Sequence, residues 1–219
     1  MTSNKTDLIP ISGAPENVLD LLSLISSAAP WLGGPISNFF GGVSTGRKFD
    51  RVREVLEGLA DELRNFKSEA SEEYVKTEDF EDLLEDTLRR VAHERNEEKR
   101  RIYRNFLIGA IRSPGEPYDE QIRFLRNLEE LQPDHIRVIR ALMQDPDPAP
   151  GSMGSPSQTL SRRLPEIESE QIEDLVEQLN SMRLTKLTNL RTMMTGSGAE
   201  NLRYSITPFG ERFVRYIVS

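Results

Sequence analysis

The longest run of side chains able to bind a metal or move a proton is acidic: Glu78, Asp79, Glu81, Asp82, Glu85 and Asp86. Carboxylates ligate hard cations and serve as general acids and bases, but such sites need partners of other types brought in from elsewhere in the fold. The two histidines, His93 and His135, fall on different predicted helices at no metal-ligand spacing, so each is read as a surface or cap residue. Within the acidic run, Glu85–Arg89 and Asp86–Arg90 stand i, i+4 with the acid first, the pattern of a solvated helix face. The cluster Lys99, Arg100, Arg101 and Arg104 lies beside Glu94, Glu97 and Glu98 and reads as paired surface charge.

Phosphate chemistry is hinted at by the stretch GGVSTGRK, residues 41–48. A phosphate-binding loop needs lysine directly after its last glycine and a hydroxyl next. Here Arg47 follows Gly46, Lys48 comes one place late, and Phe49 stands where the hydroxyl belongs. No apolar strand precedes the stretch, so it reads as the entry to a helix. There is no Gly-x-Ser-x-Gly elbow, and the absence of cysteine excludes disulfides, thiolate zinc sites and a cysteine nucleophile. The expectation is a protein with no catalytic residues, no cofactor and no metal.

The largest departure from average composition is different in kind. Residues 21–46 contain no Asp, Glu, Lys, Arg or His in a chain that is 29% charged. The segment is broken by glycine, serine and proline and is too polar for a plain bilayer span. It reads either as a helical hairpin buried in a bundle or as a surface for membrane contact or self-association, exposed on a signal. Trp31, Leu32, Ile36, Phe39 and Phe40 are the expected contact residues in the second case.

The elements that must position these groups are mostly helices. Val18, Leu21, Leu22 and Ile25 form one helical stripe, which Pro30 ends. Phe49, Val52, Leu56, Leu59, Leu63, Phe66 and Ala70 alternate three and four apart, predicting a long helix over 47–73 with a seam for a partner helix. Thr77 is the N-cap of a third helix with Phe80, Leu83, Leu84, Thr87, Leu88 and Val91 inside. Further helices follow over 97–112 and 118–131. Pro133 starts another, as its first residue. Residues 145–158, with four prolines and two glycines, read as a flexible loop.

Beyond this loop come a short helix, a stronger helix over 169–182, strands over 187–194 and 202–206 around a Gly196-Ser197-Gly198 turn, and a closing helix after Thr207-Pro208. This order matches a winged helix. The fold class expected is therefore mainly α: a helical bundle over 1–131, then a small α+β winged-helix-like unit over 132–219. Winged helices often read DNA with the helix before the wing. Here that helix and its lead-in carry Glu168, Glu170, Glu173, Asp174 and Glu177 and no Lys or Arg, the wrong sign for a phosphate backbone. Arg183, Lys186, Arg191 and Arg203 are the residues a DNA-binding alternative would use. The net charge of -8 likewise gives no overall attraction to nucleic acid.

The stretch Glu98 to Leu142, with Arg104-Asn105-Phe106-Leu107, Phe124-Leu125, and Leu128 to Leu131-Gln132-Pro133-Asp134, resembles a group of bacterial helical proteins of the abortive-infection-alpha type. Tyr204-Ser205-Ile206-Thr207-Pro208-Phe209-Gly210, followed by Phe213-Val214, resembles their C-terminal end, and also that of many winged-helix proteins. The resemblance implies a bacterial protein encoded near phage-defence genes and carries over no catalytic residue. Together these readings predict a non-enzymatic interaction or effector protein that forms a homo-oligomer or binds a protein partner. It is expected to be cytoplasmic, with peripheral membrane contact on activation, because residues 1–8 lack the pattern of a signal peptide. The alternative is a dimeric winged-helix transcriptional regulator.

Overall fold

The computed structural model describes residues 16–28, 32–40, 46–64, 69–148 and 151–217. The chain divides into two compact units, Met1–His93 and Glu94–Ser219.

The first unit is helical in its described residues. It holds α1 (Glu16–Ala28), α2 (Gly33–Phe39), α3 (Arg47–Leu63), α4 (Glu69–Tyr74) and α5 (Glu78–His93). The seam residues Phe49, Val52, Leu56, Leu59 and Leu63 are all buried, but their partners are α1 and α5 of the same chain. The partner helices that the seam called for are thus found within the unit. Of the long helix expected over 47–73, the described residues show α3 to Leu63 and α4 from Glu69, and residues 65–68 lie outside them. Phe66 lies outside the described residues, as does the Ala70 side chain. Thr77 caps α5 as expected, its hydroxyl accepting from the Phe80 amide at 3.3 Å. The whole stripe from Phe80 to Val91 is buried, and Arg51 donates to the Ala92 carbonyl at 3.0 Å, fixing α3 to the end of α5.

The second unit holds α6 (Glu97–Arg112), α7 (Tyr118–Glu130), α8 (Pro133–Met143), α9 (Pro156–Arg163), α10 (Ser169–Ser181), α11 (Gly196–Glu200) and α12 (Pro208–Ile217). The division of the chain falls after His93 and not after residue 131, because α12 packs on α6. A Cβ on Gly109 would lie 2.5 Å from the Tyr216 Cα and 2.7 Å from its carbonyl oxygen, so only glycine lets the two backbones meet there. Phe106, Phe124, Phe213 and Tyr216 form an aromatic core at this crossing, with Phe124–Tyr216 centroids 5.1 Å apart. The Tyr216 hydroxyl donates to the Ser113 carbonyl at 3.0 Å, which removes the cost of burying it.

The β content is smaller than expected. Strands β1 (Met153–Gly154) and β2 (Met194–Thr195) pair antiparallel, Met153 with Thr195 and Gly154 with Met194. The strands predicted over 187–194 and 202–206 are not formed as such. A single bridge, Thr185 to Ile206, stands in their place. Leu202–Ser205 winds into a 3-10 turn closed by Ser205 Oγ donating to the Leu202 carbonyl at 2.6 Å. The Gly196-Ser197-Gly198 segment opens α11, where the Thr195 hydroxyl accepts from the Gly198 amide at 3.3 Å. Within 145–158, regular structure begins only at Met153. The segment contains β1 and a reciprocal cap at Ser155 and Gln158, with α9 starting at Pro156; residues 149–150 lie outside the described set.

Thr207-Pro208 does start α12. The Thr207 hydroxyl accepts from the Gly210 amide at 2.9 Å and donates to the Arg183 carbonyl. A Cβ on Gly210 would come within 2.1 Å of the Leu184 carbonyl oxygen, so this glycine sets how closely α12 lies on the preceding segment.

Candidate functional site

The uncharged segment comes first because its residues were expected either in a buried hairpin or at a contact surface. Leu32 and Ile36 are fully buried, and Phe39 and Phe40 nearly so. Phe40 stacks between Phe39 and Phe49 at centroid distances of 5.5 Å to each. Helix α2 packs on α1 and α5. These four side chains are therefore core, not surface, and contact with a bilayer or another copy requires them to leave it. Trp31 lies outside the described residues. So do residues 41–45 of the loop that resembles a phosphate site. Gly46, at φ 83, precedes the first residue of α3, the helix entry read from the sequence.

In the second unit, α10 buries Ile172, Leu175, Val176 and Leu179 and leaves Glu170, Asp174 and Glu177 exposed. Glu173 is occupied: Arg191 Nε lies 2.8 Å from its Oε1, and Arg191 Nη2 lies 2.8 Å from its Oε2. This pairing holds the Glu173 carboxyl below its usual range and the Arg191 guanidinium above its own. Arg191 is therefore already engaged by an acid. Arg183, Lys186 and Arg203 are exposed and flank the Thr185–Ile206 bridge, where the Lys186 amide donates to the Ser205 carbonyl at 2.7 Å.

Three buried polar arrangements were not legible beforehand. His135 is 2% exposed, with Nδ1 accepting from the Gln132 amide at 2.9 Å and Nε2 facing Gln178 Oε1 at 2.9 Å. It is a cap residue, but not a surface one. Burial pushes its pKa down, against the opposing hydrogen bond to Gln178. Lys99 is buried and donates to the Glu129 carbonyl at 2.6 Å; burial lowers its pKa although Glu94 and Glu129 pull the other way. Glu200, at the end of α11, accepts from Thr159, Arg162, Arg163 and the Asp147 amide. Burial raises the Glu200 carboxyl, and these bonds outweigh it, leaving it below the ordinary value.

The cluster around Lys99 resolves unevenly. Arg100 donates to the Arg95 carbonyl at 2.9 Å, and Arg101 pairs with Glu97 at 2.5 Å. Arg104 departs from the expected pairing: its Nε is out of reach of solvent and has no acceptor. Arg104 lines a cleft of about 500 Å³ between α6 and α8, with Arg101, Ile102, Asn105, Ile136 and Arg140. Sequence spacing along α6 did carry the local pairs. It gave no signal that Arg140, far along the chain, would stand in the same cleft.

The fold defines a mainly helical protein of two units. No known protein family, curated protein or solved structure matches the chain. Among the described residues, no helix is long and apolar enough to cross a membrane.

Proposed function

We propose that the chain is a non-enzymatic bacterial interaction or effector protein whose second unit is winged-helix-like and docks a protein partner. The order α8, short α9, α10, a segment pinned by the Thr185–Ile206 bridge, and closing helix α12 supports the winged-helix-like reading. The observation that carries the choice of protein over nucleic acid is the face of α10. Glu170, Asp174 and Glu177 are exposed there, and the nearby Arg191 is neutralised by Glu173. Such a face repels a phosphate backbone and attracts a basic protein surface.

The uncharged 21–46 segment, with Leu32, Ile36, Phe39 and Phe40 in the core, supplies the effector half of this reading. Once out of the core it presents apolar side chains with no ionisable group to keep them in water, which favours a bilayer surface or a second copy. The likeness to abortive-infection-alpha proteins supports a role in phage defence, with the protein cytoplasmic at rest and at the membrane when active. Liposome leakage and sedimentation of the wild type, compared with Trp31→Asp/Phe39→Asp, test it, with circular dichroism to follow folding. A folded variant that keeps both activities, or a wild type with neither under any condition that loosens the first unit, removes the effector reading.

A DNA-binding regulator is the second reading, favoured by the exposed Arg183, Lys186 and Arg203 beside the bridge. A salt-dependent gel shift lost on Arg183→Ala/Lys186→Ala/Arg203→Ala would promote it. No shift at low salt, together with a shift gained by Glu170→Lys/Asp174→Lys/Glu177→Lys, would instead show that the acids of α10 prevent DNA contact.

A further inference from the structure

The cleft between α6 and α8 holds more positive charge than its own walls neutralise. Both carboxylates lining it are already matched. Glu97 pairs with Arg101 at 2.5 Å, and Glu98 pairs with Arg137 at 3.0 Å, a bridge that also ties α6 to α8. Arg137 bonds Asp134 as well, so it too is satisfied. Arg104 and Arg140 remain, one from each helix, and among the described residues neither side chain has an ion pair or hydrogen bond.

Two guanidiniums without a protein partner line one cleft, Arg140 exposed and Arg104 half-buried, and leave their charge open to an anion. Arginine cannot shed its charge by deprotonation, as a lysine in the same place could. The Nε of Arg104 is a separate defect, because a donor shut off from water and left without an acceptor is destabilising. A bound oxyanion removes the first of these, the unmatched charge, and not the second, since the Arg104 Nε, out of reach of water, is out of reach of a cleft ligand as well. The oxyanion brings acceptors to planar forks built for paired oxygens, and it balances the charge.

Two positive groups are matched by a dianion better than by a single carboxylate. The cleft volume of about 500 Å³ lies within the roughly 300–1,000 Å³ range of small-molecule sites. Ile102 and Ile136 give it an apolar wall against which the uncharged part of a ligand can rest. From these features we infer that the α6–α8 cleft is a binding site for a phosphate-bearing small molecule, its phosphate held between Arg104 and Arg140. The site is independent of the partner docking proposed above. The acids of α10 do not line it.

The test is calorimetric titration of the full chain, in a chloride buffer of low ionic strength, with inorganic phosphate, pyrophosphate and acetate as probes. Arg104→Gln and Arg140→Gln are the variants, and Arg126→Gln, an exposed arginine of α7 outside the cleft, is the control. The expected result is saturable binding of pyrophosphate, weakened about tenfold or more by either cleft variant and by less than about twofold in the control. Thermal melts without ligand separate binding from a structural role. Both cleft variants should melt no lower than wild type, while pyrophosphate should raise the melting temperature of wild type alone. Absence of saturable phosphate or pyrophosphate binding, equal binding by wild type and both cleft variants, or acetate binding as tightly as pyrophosphate would overturn the proposal.

Discussion

Arg163 Nη2 lies 3.0 Å from Glu200 Oε2, and both side chains are more than nine-tenths buried. The same arginine donates to the carbonyls of Ala141 at 2.7 Å and Glu200 at 3.0 Å. One guanidinium therefore joins the ends of α8, α9 and α11. Glu200 completes the arrangement by accepting from Thr159 and Arg162. Removing one partner of such a pair leaves a charge buried without compensation, and so Glu200→Ala should lower stability by about 3–5 kcal/mol. Chemical denaturation measures it; a loss below about 1 kcal/mol would mean the pair is replaced by solvent without consequence.

The acid limit of stability follows from the same carboxyl. Glu200 is held below its ordinary value of 4.5, so the unfolded chain takes up this proton at a higher pH than the folded one. Its contribution is fully present above that value and is lost as pH falls through the folded pKa. The melting temperature of wild type should drop on acidification more steeply than that of Arg162→Ala/Arg163→Ala.

A separate pH dependence should appear nearer neutrality, through His135. Burial keeps this imidazole neutral to a lower pH than its ordinary 6.5. Protonation therefore favours the unfolded chain, and stability should fall as pH drops below about 6.5. The neighbours Asp134 and Lys99 act on it in opposite senses, and Gln178 opposes the shift. His135→Gln should flatten the slope of melting temperature between pH 7 and pH 5. An unchanged slope would assign it to other groups.

At the crossing of α6 and α12, Gly109→Ala should be destabilising even though alanine is the better helix former. The added methyl meets the backbone of Tyr216 at 2.5 Å, and a backbone cannot swing aside as a side-chain tip can. A loss of about 1–3 kcal/mol is expected from such overpacking, read from urea midpoints. The exposed Gly115, where a Cβ meets nothing within 4 Å, provides the contrast: Gly115→Ala should be close to neutral.

In the first unit, Leu32→Ala should cost about 2–5 kcal/mol if α2 is seated in the core as described, because the side chain is fully buried. Leu19→Ala, on a half-exposed position of α1, should cost much less. Near-equal effects of the two would place the uncharged segment outside the core.

Helices were legible where the chain repeats its apolar residues at helical spacing over several turns. The stripes on α3 and α5 are buried as read, and the Thr77 and Thr207 caps hold, because a cap and a stripe are local properties of backbone and neighbouring side chains. The strands over 187–194 and 202–206 were not. Short apolar runs there carry no period long enough to separate strand from turn, and the local bonds of Ser205 and Thr195 drew the chain into helical turns.

What the amino-acid order determined by itself is the helical character of the protein, the charge-free stretch near its start, and the acidic sign of α10. Each depends on residues close together in the chain. Tertiary structure alone decided that α12 returns to α6 across Gly109, that Leu32, Ile36, Phe39 and Phe40 turn inward, and that Arg104 and Arg140 line one cleft. Those outcomes depend on side chains far apart in sequence. Only packing, by excluding water and bringing distant backbones into contact, determines which of them meet.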